Sequence, residues 1–259
     1  MKIPLYHIDA FTDQLFRGNP AAVCPLEDWP EDIILQKIAT ENNLSETAFF
    51  VKTEDHYKLR WFTPKIEVDL CGHGTLASAF VIFTYISSEI EKINFHTKSG
   101  VLTVEKQNDL ISMDFPSRKP EPVDCPPELS EGLGYNPTET LKARDYYAVF
   151  DNPDMIISIK PDFNVLERLE TLGICITAKG NDVDFVSRFF APRAGILEDP
   201  VTGSAHSSLI PFWAERLNKK TLHALQMSER GGELFCQDLG DRVVIAGKAR
   251  TYSIGVIQI

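Results

Sequence analysis

The 259-residue chain lacks most of the short signatures that identify a function. No run of about 18 apolar residues occurs, so no helix is expected to span a membrane and no membrane partner is expected. Polar residues break up the first nine positions, which do not read as a signal peptide. Neither a GxGxxG nor a Walker-type loop is present, which removes the common nucleotide-binding readings. The six histidines show no HxxxH or HExxH spacing, and the five cysteines (24, 71, 125, 175 and 236) show no CxxC, so no metal site is expected. Basic residues are in deficit, 26 Lys and Arg against 37 Asp and Glu, and the net charge of −11 argues against nucleic acid as a partner. It does not bear on a small substrate, because a local site can oppose the global sign. An odd number of scattered cysteines fits reduced thiols and a cytoplasmic protein.

What is present is ordinary globular material, 43% apolar and 24% charged, long enough for one large domain or two modest ones. Alternating or short apolar runs predict strands at 3–11, 21–24, 57–62, 146–150, 155–159, 174–178, 184–190, 234–237, 242–246 and 252–259, and a strand ending at Val51. A hairpin is expected over 100–115, turning at Asn108-Asp109. Helices are expected from Trp29-Pro30-Glu31-Asp32 to Asn42-Asn43, over the apolar run 76–86, from an Asp162 cap through 163–172, and over 204–217, where Pro211 must kink or break it. Residues 116–127 hold five prolines and read as a link, giving lobes 1–116 and 117–259, with the last strand able to return to the first lobe.

The chain is organised around Val68-Asp-Leu-Cys-Gly-His-Gly-Thr-Leu-Ala-Ser-Ala-Phe80. Two glycines allow a tight turn and a close approach to a ligand, and the apolar run that follows reads as a buried helix. The first turn of such a helix offers unpaired amides in a dry place, suited to a carboxylate or a developing enolate. The plain alternative is a helix start with a capping His. Upstream, Glu46 sits where a helix passes into a strand, either as a solvated surface acid or as a carboxyl set among apolar neighbours for proton transfer.

A repeat links the halves. Tyr57-Lys-Leu-Arg60-Trp61-Phe62-Thr-Pro64-Lys65 matches Phe185-Val-Ser-Arg188-Phe189-Phe190-Ala-Pro192-Arg193, and each leads into a glycine-containing turn and an apolar helix. This predicts two similar lobes made by duplication, with two helix N-termini near a shared cleft. The turns differ in chemistry. The first carries Cys71 and His73; the second carries Asp199-Pro200, which taken alone reads as an N-cap with Pro at the first helical position and, opposite a His-bearing turn, as a proton carrier or a partner that orients His73.

Asp9-Ala-Phe-Thr12, Gly18-Asn-Pro-Ala-Ala-Val23, Ser45-Glu-Thr-Ala-Phe49, Cys71-Gly-His-Gly-Thr75 and Asp199-Pro-Val-Thr-Gly-Ser204 together resemble the PhzF family of phenazine-biosynthesis-like isomerases, in order and over nearly the whole length. The resemblance implies an α+β fold similar to diaminopimelate epimerase: two pseudo-symmetric lobes, each a curved sheet wrapped around a central helix, with the site between them. It implies Glu46 as the main acid/base, His73 and Asp199 assisting, and Gly72, Gly74, Gly203, Ser204 and Asn19 with His73 as the substrate-binding set. It further implies a homodimer with no metal or organic cofactor. The expected activity is isomerisation of a small carboxylate-bearing substrate by proton abstraction and return, as for a dihydro-hydroxyanthranilate. Two other readings are a racemase or epimerase using Cys71 and a non-catalytic binding protein. Relatives of the fold use two opposed thiols, and Pro200 stands where the second is expected, which disfavours the racemase.

Overall fold

The computed structural model describes residues 2–259. In chain order the elements are β1 (Lys2–Ala10), β2 (Asn19–Leu26), α1 (Asp32–Asn42), β3 (Glu46–Lys52), β4 (Tyr57–Phe62), β5 (Glu67–Val68), α2 (Gly72–Val81), β6 (Lys92–Thr97), β7 (Gly100–Gln107) and β8 (Leu110–Pro116). There follow β9 (Glu121–Pro122), α3 (Pro127–Leu133), β10 (Glu139–Lys142), β11 (Tyr146–Phe150), α4 (Pro153–Ser158), α5 (Phe163–Leu166), β12 (Ile174–Lys179), β13 (Phe185–Ala191) and β14 (Ile196–Asp199). The last are α6 (Gly203–Leu217), β15 (Thr221–Gln226), β16 (Gly232–Asp238), β17 (Arg242–Gly247) and β18 (Ala249–Gln258). They form two compact units, Met1–Asp114 with Ala246–Ile259, and Phe115–Ile245. The division at 114/115 lies two residues from the expected 116/117, and the last strand belongs with the first unit.

In the first unit β1 pairs antiparallel with β18 and with β2, β2 runs parallel to β3, and β3 pairs antiparallel with β4. β4 pairs with β5 and runs parallel to β6, which continues antiparallel into β7 and β8. Residues Ala21 to Cys24 of β2 and Ala48 to Phe50 of β3 are buried without alternation. Such continuous runs suit strands covered on both faces. Here α1 supplies Leu35, Ile38 and Ala39 to a cluster with Ile3, Cys24, Phe49 and Phe62, and α2 packs on β1, β2, β3 and β18. α2 has almost no polar face, and Leu76, Ala77 and Val81 are fully enclosed. It widens into a π-helical turn over Ile82–Ile86. Truncating Leu76 to Ala is expected to cost about 2–5 kcal/mol.

The second unit repeats this order of pairings. β11 runs parallel to β12, β12 pairs antiparallel with β13, β13 pairs with β14 and runs parallel to β15, and β15 pairs antiparallel with β16. Helices α3, α4 and α5 give Leu129, Leu133, Ile156 and Leu166 to a core with Phe150, Ile176 and Phe190. α6 packs on β15 and β16, and its Trp213 stacks on Phe185 at 5.9 Å and donates Nε1–H to Thr177 Oγ1 at 3.0 Å. The repeated Arg-aromatic-Phe motif has a matching role in each unit. Arg60 grips Glu67 through Nε and Nη2 at 2.7 and 2.9 Å and lies over Phe62. Arg188 grips Glu198 through the same atoms at 2.8 and 3.0 Å and lies over Phe190.

Several elements differ from expectation. The expected strand at 155–159 is helix α4: Asn152 accepts from the Asp154 amide and Pro153 starts the helix, a local capping signal that outweighs β-branched content. The expected helix 163–172 stops after one turn at Leu166, though Asp162 caps it as expected through the Asn164 and Val165 amides. Strands β6, β10 and β15 and helix α3 were not expected. Pro211 sits inside a continuous α6. The proline removes the donor that would bond the Ser207 carbonyl, and the Arg118 amide from the proline-rich link takes that carbonyl at 3.0 Å. No helix among the described residues is long and apolar enough to cross a membrane.

Candidate active site

Backbone turns bring three side chains of the first unit together. β1 ends at Ala10 opposite Asn19, and Gly18 makes the turn possible. Its φ is +68°, and a Cβ there would lie 2.1 Å from the Ala10 carbonyl oxygen, so no other residue fits. Buried Asp9 braces the same loop, its Oδ2 accepting from the Phe16 amide at 3.1 Å. Asn19 therefore starts β2, and Glu46, in parallel register with Ala21, starts the neighbouring β3 at the same end.

The third side chain comes from α2. Cys71, not His73, caps this helix: its sulfur accepts from the Gly74 amide at 3.3 Å while its carbonyl accepts from Thr75 Oγ1 at 2.6 Å. Gly74 is required by close approach, since a Cβ would lie 2.8 Å from Trp61 and 3.0 Å from the Cys71 sulfur. His73, second in the helix, is turned inward and is 5% exposed.

His73 Nε2 lies 3.1 Å from Glu46 Oε2, an ion-pair contact that is not aligned as a hydrogen bond. Its Nδ1 is 3.2 Å from Asn19 Nδ2. With the Asn19 amide donating to Nδ1, the imidazole proton sits on Nε2 and faces Glu46; for the imidazolium, Asn19 needs only to present its carbonyl instead. The Cys71 sulfur lies 3.6 and 3.9 Å from the two ring nitrogens. Burial by itself lowers the basicity of His73, but the facing Cys71 and the Glu46 carboxylate outweigh it and hold its pKa well above the usual imidazole value. The Cys71 thiol is pushed upward, first by burial and then by the charge of Glu46, so it keeps its proton near neutral pH. The lasting charge beside His73 is thus that of Glu46.

Asp199, Gly203 and Ser204 lie in the second unit. Asp199 ends β14 and is not the cap of α6; that position is Thr202, three residues on, because the strand runs further than the Asp-Pro pair suggests. Asp199 Oδ2 accepts from Thr202 Oγ1 at 2.6 Å. Gln226, buried at the end of β15, clamps the turn: its Nε2 donates to the Asp199 carbonyl at 2.7 Å, and its Oε1 accepts from the Thr202 amide at 2.8 Å. Gly203 and Ser204 open α6, and Ser204 Oγ accepts from Arg144 Nη2 at 3.0 Å. Arg144 is itself held by Asp145, which is 1% exposed. Gln226, Arg144 and Asp145 carry no signal in the sequence: one reads as a strand end and the others as a surface charge pair.

Within the first unit the arrangement can therefore move a proton between a nearly enclosed carboxylate and a carbon acid, with an imidazole fixed beside it. Comparison with known proteins places the chain in a family. The family model described as phenazine biosynthesis-like protein matches residues 8–255. A protein of Pseudomonas aeruginosa named an uncharacterized isomerase is 49% identical over 259 residues, all of both chains. A solved PhzF-family structure from Enterococcus faecalis is 47% identical, covers all of both chains and superposes with a TM-score of 0.98. A hydroxyproline epimerase from Agrobacterium vitis is similar in fold alone, at 10% identity and a TM-score of 0.66 over 99% of this chain and 91% of the other. The chain belongs to the phenazine biosynthesis-like (PhzF) family.

Proposed function

We propose that this protein is a cofactor-independent isomerase that moves a proton on a small carboxylate-bearing substrate. Glu46 takes a proton from a carbon made acidic by a neighbouring carbonyl, carboxylate or conjugated system. The electron pair left behind spreads into that system as an enolate or dienolate. A proton returns from Glu46 or a neighbouring acid to a different carbon, which completes the isomerisation without a redox change. The observation that carries this reading is the 3.1 Å approach of His73 Nε2 to Glu46 Oε2, with side chains only 7% and 14% exposed. An imidazole held protonated there can oppose charge that develops on the substrate.

The Gly72 and His73 amides at the opening of α2 suit the substrate carboxylate, since the first amides of a helix have no intrahelical acceptor, and Gly74, whose amide is held by the Cys71 sulfur, keeps that turn tight. On the family resemblance, Asp199 assists as an acid/base group and Gly203, Ser204 and Asn19 bind substrate. A racemase using Cys71 is disfavoured, because burial and Glu46 keep the thiol protonated and Pro200 occupies the place of an opposing thiol.

Proton exchange tests the proposal. The protein is incubated in D₂O with cyclic hydroxy acids, dihydroanthranilate analogues and amino acids, and deuterium uptake is followed by NMR. Uptake with wild type and not with Glu46→Gln supports it. Equal uptake by both removes Glu46 as the base, and no uptake with any of them favours a binding protein on the same fold.

The reading extends to a homodimer and to the cytoplasm. Tyr252, Ile254 and Val256 alternate along one face of β18 and are 50%, 57% and 58% exposed, a strip that a second copy can cover. All five cysteines are free thiols, which suits a reducing compartment. Sedimentation equilibrium of wild type and of Ile254→Glu checks the dimer, with a shift to monomer expected in the variant.

A further inference from the structure

We propose that Arg144 is a positioning residue that makes Ser204 a hydrogen-bond donor, so that the start of α6 receives a carboxylate of the substrate and rejects an ammonium. The inference rests on the reading that Ser204 touches the substrate, and all the groups involved lie in the second unit. A serine hydroxyl carries one proton and two acceptor lone pairs, so left alone it serves a donor or an acceptor equally. A guanidinium only donates. Arg144 Nη2 donates to Ser204 Oγ at 3.0 Å and engages one of the lone pairs, which turns the hydroxyl proton away from Arg144. A helical serine commonly gives that proton to the carbonyl four residues back. Here that carbonyl belongs to Pro200 and accepts from Ser228 Oγ at 2.8 Å. Ser204 Oγ donates to no group among the described residues.

The guanidinium is held from behind. Asp145 Oδ2 accepts from its Nε and Nη2 at 3.2 and 3.1 Å, and these bonds to one buried carboxylate fix a fork that an exposed arginine would otherwise leave mobile. The exposures differ widely, 39% for the Arg144 side chain and 1% for that of Asp145. The pair is neutral as a whole, yet its positive end faces outward and its negative end is covered, so a ligand at Ser204 meets the cation first. The helix is fixed as well. Tyr147, on β11 just after Arg144, hydrogen-bonds with Ser208, one turn after Ser204. Two contacts on one face of α6 therefore hold it against this segment.

The consequence is a polarity set in advance. A carboxylate is matched by the outward hydroxyl proton and by the positive end of the pair. An ammonium would face a like charge and could use only the remaining lone pair of the hydroxyl. The acid of that turn, Asp199, is engaged by Thr202 Oγ1 at 2.6 Å.

Benzoate, benzamide and benzylamine share a ring and differ in the charge of the polar group, so they serve as probes. The test is ¹H–¹⁵N NMR of the full-length protein, read at the Ser204 backbone amide and at the Arg144 Nε–H. Benzoate is expected to shift both signals saturably, with an affinity at least about tenfold above that of benzamide, and benzylamine to shift neither. Arg144→Gln should cut the benzoate-to-benzamide ratio about tenfold while benzamide itself stays within about threefold, a change of selectivity that a merely structural role would not produce. Arg144→Lys, which keeps a cationic donor, should recover part of the ratio. Ser204→Ala leaves Arg144 and Asp145 paired and should weaken benzoate at least about threefold, so the inference stays testable if circular dichroism shows Arg144→Gln unfolded. None of these signals depends on turnover. Absent deuterium exchange with benzoate selectivity intact removes the isomerase alone, and exchange without that selectivity removes this inference alone. Benzylamine binding at Ser204 as tight as benzoate, an unchanged ratio in Arg144→Gln, or no shift of the Ser204 amide at about 50 mM benzoate overturns the proposal.

Discussion

The turn before α2 and the turn before α6 follow matching strands and open matching buried helices, yet they are capped by different chemistry. Cys71 closes the first with its sulfur on the Gly74 amide, and His73 and Glu46 are drawn against it. The second is tied internally, Thr202 to Asp199 and both to Gln226. Each helix also carries one buried histidine near its start, and the two are driven opposite ways. His73, beside Cys71 and a carboxylate, is held charged; His206, whose Nδ1 donates to the Thr202 carbonyl at 2.8 Å, has its pKa lowered by burial to about 4. The Arg–Glu grips behind the turns are nearly superimposable in their distances, 2.7 and 2.9 Å against 2.8 and 3.0 Å. The two units share a scaffold while their helix entrances differ, so each entrance has its own chemistry on a matching frame.

The comparison breaks most sharply at the acids. Glu46→Gln is expected to lower deuterium exchange by about 10³-fold, and Asp199→Asn by about tenfold, in the same NMR assay. Equal losses would mean that the two entrances share the base role.

The next effect is on stability. Arg188→Ala is expected to cost about 3 kcal/mol in urea unfolding and Arg60→Ala less, about 2 kcal/mol. Arg188 also donates to the Ile156 and Ile159 carbonyls at 2.9 and 2.8 Å, whereas the additional partner of Arg60 is Asp32, which is 74% exposed and contributes little through water. An equal cost would show that the carbonyl bonds add nothing.

The two histidines predict opposite pH limbs. The unfolded imidazole of residue 206 binds a proton near 6.5, the folded one near 4. Its contribution is therefore complete above 6.5 and drains away by about 3 kcal/mol as pH falls to about 4. His206→Gln should flatten that limb in denaturation measured across pH. His73, with a raised folded value, stabilises fully below 6.5 and loses its contribution as pH rises through that folded value. His73→Gln should therefore differ from wild type most at low pH and least in alkali.

The smallest effect concerns the thiol. Cys71→Ser should keep exchange within about tenfold of wild type, since a serine hydroxyl can also accept from the Gly74 amide. A loss as large as that of Glu46→Gln would give the sulfur a chemical role and revive the racemase reading.

Much of this was legible in the chain. The Arg-aromatic-Phe-x-Pro repeat foretold two units with the same pairings, and the Gly-His-Gly turn foretold where α2 starts, because the required close approach at Gly74 leaves a mark that one residue type can supply. Asn19 and Glu46 were legible through family motifs and not through periodicity. The failures share a cause. Residues 155–159 look like a strand because their apolar side chains suit either element, and the Asn152-Pro153 start decides for helix. Asp199 looks like a cap because Asp-Pro commonly opens helices, and only the pairing of Phe189 with Asp199 shows that β14 extends to it.

The sequence by itself determined the class of fold, the buried helices and the residues that bear chemistry, because these depend on local conformational demands and on apolar pattern. Only the tertiary structure decided that Asn19, Glu46 and His73, from β2, β3 and α2, meet within hydrogen-bonding distance, and that Cys71 caps the helix instead of standing as a free nucleophile. Those outcomes depend on parallel register and on burial, which set charge and basicity through neighbours distant along the chain.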